Sequence, residues 1–132
     1  EVLGYVDDVE SLVARATAVV YAPRNEDFGL VGAEALSAGK PLLGVNEGFT
    51  RHQVVEGTTG LRFEPTVRSL RETVRRFDPD AFDADEIRRF AGRYDRETFA
   101  EDLVTVVNRT HADAATERAA VDVDDTETPH VS

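Results

Sequence analysis

A chain of 132 residues is about one domain long, and 41% apolar residues are enough to bury a core. The formal net charge of −11 excludes a general nucleic-acid binder, which needs cations to neutralise phosphates. With no cysteine, disulfides, thiolate metal sites and cysteine nucleophiles are excluded within the chain.

No apolar run approaches the roughly 18 residues that a membrane-spanning helix needs, and no secretory leader is visible at the start. The chain opens on Glu1 rather than Met, as expected of a truncated product or an excised piece. Lys40 is the one lysine among 15 bases. An acidic surface almost without lysine resembles proteins of salt-adapted archaea, where carboxylates keep the surface hydrated once salt screens ordinary repulsion. A GC-rich genome plus an acidic tail would leave the same imprint.

In chain order, residues 2–6 are apolar and predict a short strand. Asp7 or Asp8 then offers an N-cap to a helix with Val9, Leu12, Val13 and Ala16 at helical spacing. Residues 18–22 read as a fully buried strand, stopped by Pro23. Residues 24–29 are polar and end on glycine, so they form a loop. Residues 30–38 make a compact helix rich in Ala and Leu, with Gly39 at its C′ position. Residues 41–45 are another buried strand, 46–51 a second loop, and 52–56 a short helix closed by Gly57. The last strand covers 60–63 and ends before Pro65.

Thr66 caps a helix over 67–77, whose inward stripe is Val67, Leu70, Val74 and Phe77. Asp78 and Pro79 break it. Asp83 or Asp85 starts the next helix, carrying Ile87, Phe90 and Ala91. A final helix begins near Arg96, with Phe99, Leu103, Val106 and Val107 inward. From His111 the apolar period stops, and 111–132 is expected to be a disordered acidic tail, not packed on the domain. Four short apolar strands alternating with helices point to an α/β fold: a Rossmann-like parallel sheet of right-handed βαβ units with flanking helices on both faces.

In such sheets ligands sit beyond the C-terminal ends of the strands, where loops lead into helices. The loop before the 30–38 helix is the informative one. Gly29 lets the backbone approach a ligand without a Cβ in the way. The amides of Leu30 and Val31, at the helix N-terminus, suit a phosphate. Glu26 on the loop and Glu34 in the helix can each accept hydrogen bonds from neighbouring hydroxyls. Ribose, pyrophosphate and hexose in a nucleotide sugar have that layout. Glu34 is expected in a cleft at the C-terminal edge of the sheet, beside the Gly29 turn. The competing readings are a solvated loop glutamate at 26, dipole compensation at 34, and a simple turn at 29.

The stretch from Glu26 to Glu34 resembles the Glu-x7-Glu motif of retaining glycosyltransferases with the GT-B fold, of the family 4 (group 1) type. Its flanks agree: Leu3-Gly4-Tyr5-Val6 before a helix, residues 18–23 as strand and turn, Glu34-Ala35-Leu36-Ser37-Ala38-Gly39-Lys40-Pro41 after it, and Gly57-Thr58-Thr59-Gly60-Leu61 later. The likeness covers roughly residues 2–77. It implies that Glu26 faces the donor sugar as the catalytic residue and Glu34 holds the ribose hydroxyls. Gly29, Leu30 and Val31 would offer amides to the pyrophosphate, with Phe28 beside them. The implied organisation is a partial nucleotide-sugar-binding domain over 1–77, C-terminal helices of the same domain over 78–110, and the tail over 111–132.

The second loop departs from the family. Where relatives show Gly-Gly-x-Pro-Glu, this chain has Gly48-Phe49-Thr50-Arg51-His52. Gly48 and Arg51 are candidate donor contacts there, and His52 is either a third or a surface residue. The family's basic Arg/Lys pair for the leaving diphosphate, and its acceptor-binding N-terminal domain, would precede Glu1. Lys40, beside Gly39, reads as structural.

The resemblance thus implies a metal-independent transferase without a cofactor, the nucleotide sugar being a substrate. Its acceptor is a sugar, lipid-linked or other hydroxyl reached through the missing domain. The implied location is the cytoplasm, including the cytoplasmic membrane face. The alternative is a catalytically inactive nucleotide-sugar-binding or interaction module. A nicotinamide dehydrogenase is disfavoured because no Gly-x-Gly-x-x-Gly follows a strand. A phosphotransfer receiver is disfavoured because Asp7 and Asp8 lack a strand-end Asp and a downstream Lys.

Overall fold

The computed structural model describes residues 1–124, with side chains as far as residue 116. The chain forms two compact units, Glu1–Tyr94 and the part from Asp95 onward. The first is an α/β unit: a three-stranded parallel sheet with flanking helices, a partial Rossmann-like domain. Its strands are β1 (Val19–Tyr21), β2 (Leu42–Val45) and β3 (Gly60–Phe63), in the order β1-β2-β3. The register pairs Leu42 with Val19 on one side and Gly60 on the other. β2 is buried at all four positions, as an apolar run covered on both faces requires.

Helix α1 (Val9–Arg15) starts at Asp8, whose carboxylate accepts from the Ser11 amide at 2.9 Å. Helix α2 (Leu30–Ser37) links β1 to β2. It ends in a Schellman turn, in which the Gly39 amide donates to Leu36 O and the Lys40 amide to Ala35 O, both at 2.9 Å. Gly39 lies at φ +71 against helix α5 (Ala84–Ala91), where a Cβ would meet the Ala84 carbonyl at 3.0 Å. The core joins Ala35 and Leu36 of α2, Leu42 of β2, Val54, and Ile87 and Ala91 of α5. Asp83 caps α5 by accepting from the amides of Asp85 and Glu86. A 3-10 turn at Pro79–Ala81 separates it from α4 (Val67–Arg76), which Thr66 caps by accepting from the Ser69 amide.

Four expectations need correction. Residues 2–6 form no strand: Gly4 sits at φ +67, outside extended geometry, and Val2, Leu3 and Tyr5 are exposed. Helix α3 covers Thr50–Gln53 rather than 52–56, and Val54 is already extended. On α4 the buried residue is Thr73, with Leu70 and Phe77 half-buried, while Val67 and Val74 are exposed. At 100° per residue the true inward direction lies roughly 80° from Val67 and Val74. The last helix, α6 (Arg96–Asp124), runs through residues expected to be disordered, because Ala112, Ala114, Ala115, Ala119 and Ala120 are strong helix formers. Its expected inward residues Phe99, Leu103, Val106 and Val107 are exposed. Residues 125–132 of the expected tail lie outside the described residues.

Candidate functional site

The loops that leave β1 and β2 come from the same ends of adjacent parallel strands, so they meet at one edge of the sheet. The Phe49 amide donates to the Glu26 carbonyl at 3.0 Å, and Phe28 stacks on Phe49 with centroids 5.0 Å apart. Tyr94 closes the aromatic group edge-on to Phe28. Gly48 lies at φ +51, and a Cβ there would stand 2.6 Å from the Glu26 carbonyl oxygen. A glycine at 48 therefore has a packing reason, in that it lets the second loop press on the backbone of the first.

Glu26 is tied into its own loop. The Tyr21 hydroxyl donates to its Oε2 at 2.9 Å, and the Phe28 amide donates to Oε1 at 3.5 Å. These donors, the Tyr21 hydroxyl foremost, hold the carboxyl below the usual glutamate range. The Tyr21 phenol is displaced upward, first by burial and then by the same carboxylate.

Gly29 is the N-cap of α2 in left-handed geometry, φ +74, and no side chain caps the helix. A Cβ at 29 would meet Tyr21 Cε1 at 3.0 Å and Glu26 Cγ at 3.2 Å. Leu30 and Val31 are exposed at the open helix end, where first-turn amides lack intrahelical partners and carry partial positive charge. Loop, Glu26, Gly29 and helix start thus stand together at the end of β1.

Glu34 lies about one turn along α2 from its N-terminus. Leu30, Glu34 and Ser37 share one exposed stripe of α2, opposite buried Gly32, Ala33, Ala35 and Leu36. Glu34 lines a cleft of about 820 Å³ with Asp7, Asp8, Val9 and Glu10 of the α1 start and Ser37 and Ala38 of the α2 end. Gly29 is not part of that wall. One helical turn carries Glu34 about 6 Å down α2 from Leu30 and toward α1. The carboxylate has no hydrogen-bond or ion-pair partner among the described residues. Four acids in one cleft repel phosphate and suit a ligand that brings hydroxyl donors.

The Arg51 Nε donates to His52 Nε2 at 3.2 Å. Arg24 lines a separate cavity of about 180 Å³ with Val45, Phe63 and Leu70. Lys40 follows the Schellman turn, in keeping with a structural place. Among the described residues no three His, Asp or Glu side chains are grouped to hold a metal ion.

Two site residues escaped the sequence reading. Tyr21 could have been noticed as an aromatic with a polar tip at a strand end. Gln53 had no local signal, because its partners lie 24 and 25 positions away. It is fully buried, and its Nε2 donates to Phe28 O at 3.1 Å and Gly29 O at 3.0 Å.

Comparison with known proteins bears on the whole arrangement. The family described as glycosyl transferases group 1 matches residues 1–98. The alpha-1,3/1,6-mannosyltransferase ALG2 of Dictyostelium discoideum is 28% identical over 103 residues, which is 74% of this chain and 24% of that protein. The alpha-1,3/1,6-mannosyltransferase alg-2 of Neurospora crassa is 45% identical over 56 residues, 42% of this chain and 12% of that one. A glycogen synthase of Mycobacterium tuberculosis is 40% identical over 76 residues, 55% of this chain and 18% of that one. The chain spans about a quarter or less of the length of these relatives. With the family matched over well over half its length, including both glutamates and the Gly29 turn, this chain belongs to the group 1 glycosyl transferases.

Proposed function

We propose that this chain is the donor-binding part of a retaining transferase that moves a sugar from a nucleotide sugar to an acceptor hydroxyl. The observation that carries the reading is the junction of β1 and α2. A left-handed glycine opens an uncapped helix end, with the Glu26 carboxylate on the same turn and Glu34 in an adjoining cleft. In this reading the pyrophosphate lies on the amides of Leu30 and Val31, beside Gly29 and Phe28. The acidic cleft at Glu34 is too negative for the phosphates and takes ribose hydroxyls. Glu26 faces the sugar and supports charge at the reacting centre. Gly48 and Arg51 border the donor, with Arg51 leaving His52 to reach it. No metal or cofactor takes part, and the setting is cytoplasmic, at the membrane face where the acceptor is lipid-linked. Among the described residues no helix is long and apolar enough to cross a membrane.

A second reading is a binding module without transfer activity. It is favoured by the placement of Arg24 and Arg51, which leaves the helix-end amides as the positive groups at the leaving phosphate. Saturation-transfer NMR with a panel of nucleotide sugars tests the donor in both readings. One donor should bind, and Glu34→Ala should weaken it by about 1–3 kcal/mol. Binding of none of the panel, or equal binding by Glu34→Ala, would remove this assignment.

A further inference from the structure

The side chain of Gln53 fixes the two peptide planes that open α2. It is fully buried, yet its carbonyl Oε1 has no hydrogen-bond partner, while Nε2 serves both Phe28 O and Gly29 O. Packing and burial alone would favour an apolar residue here, since an orphaned buried carbonyl is unfavourable. Gly32, one turn into α2, accommodates that oxygen: a Cβ at 32 would stand 2.2 Å from Gln53 Oε1. Three features of the sequence therefore converge on one amide: a glutamine at 53, a glycine at 32, and the left-handed glycine at 29 whose carbonyl it holds.

The consequence follows from peptide geometry. In a trans peptide the C=O and N–H point in opposite directions. Holding Phe28 O toward Gln53 turns the Gly29 N–H the other way, and the Gly29 N–H is one of the groups that lower the Glu26 carboxyl. Holding Gly29 O toward Gln53 turns the Leu30 N–H outward in the same manner. Without that grip, a glycine at φ +74 is free to rotate, because glycine populates both signs of φ. The Gly32 amide also donates to Gly29 O, at 3.1 Å, so the second plane is held by Gln53 and Gly32, and the first by Gln53 at its carbonyl and by the Glu26 carboxylate at its N–H.

We infer that Gln53 is a positioning residue for the donor diphosphate, acting by presetting the Gly29 turn and with it the Leu30 amide that receives the diphosphate. The inference rests on the donor-binding reading above, and its test separates the two. The ¹⁵N-labelled 132-residue chain is titrated with GDP, UDP and ADP in turn, as wild type, Gln53→Met and Gly32→Ala. Met keeps the length and loses the donor. Gly32→Ala adds helix propensity, so it is expected to fold, but its Cβ displaces the Gln53 amide. Both variants should weaken the best diphosphate about tenfold or more. Both should also reorient the Gly29 and Leu30 N–H vectors in residual dipolar couplings without ligand.

A purely structural role would lower the melting temperature and leave the dissociation constant of the folded protein unchanged; that outcome overturns the inference. If the wild type binds no diphosphate, the donor reading fails. Amide vectors unchanged in both variants then overturn the presetting role as well, whereas reoriented vectors uphold it. If Gln53→Met does not fold, Gly32→Ala decides alone.

Discussion

Tyr21 and Glu26 form a side-chain pair that joins the end of β1 to the candidate site. Glu26 has its folded pKa depressed, so the contact contributes stability above the unfolded carboxyl pKa and loses it as pH falls through the folded value. Tyr21→Phe removes the foremost donor. The Glu26 titration midpoint, followed by carboxyl ¹³C shifts, is expected to move up toward the ordinary glutamate value. An unmoved midpoint would mean that the loop amides, not the phenol, hold the charge. The Gly29 turn beside Glu26 was legible from the short spacing between them in an α/β context. Gln53 was not, because a glutamine donating to carbonyls 24 and 25 positions away leaves no periodic trace.

At the level of elements, sequence signals were strongest where geometry is local. Asp8, Thr66 and Asp83 each cap the helix that follows them, and Gly39 takes the C′ position. Signals were weakest where a helix face is chosen by what lies across from it. On α4 a Thr, not a Val, is buried: β3 presents the Arg62 carbonyl there, and the Thr73 hydroxyl donates to it at 3.4 Å. The β1–α2 junction should be the least tolerant turn. Gly29→Ala combines φ +74 with close contacts to Tyr21 and Glu26. It is expected to cost at least about 1–2 kcal/mol in denaturant unfolding. Gly57→Ala has similar strain, φ +78, but open space around the added Cβ, and should cost less. Equal losses would show that backbone strain alone sets the effect.

For the whole molecule, its charge and its short span beside the relatives both make testable statements. A net charge of −11 with a single lysine favours folding more strongly as salt screens self-repulsion. The melting temperature should rise between about 0.1 M and 1 M KCl, where the Debye length falls from about 10 to 3 Å. A fall across that range would set salt adaptation aside. Transfer needs an acceptor held against the donor and positive charge at the leaving phosphate. The 132-residue chain is expected to show no sugar transfer in a radiolabelled-donor assay, and a version extended upstream to show it. Equal turnover by both would place the catalytic groups within these residues and overturn the assigned roles.

By itself the sequence determined the α/β class, three of the parallel strands, the capped helix starts and the meeting of a glycine turn with Glu26. Those features depend on residues within a few positions of each other. Tertiary structure alone decided which way Glu34 faces, that the 2–6 segment is not a strand, and that α2 begins on peptide planes held by Gln53. Each of these depends on which groups from distant parts of the chain stand opposite, and side-chain pattern along one segment carries no record of its partner.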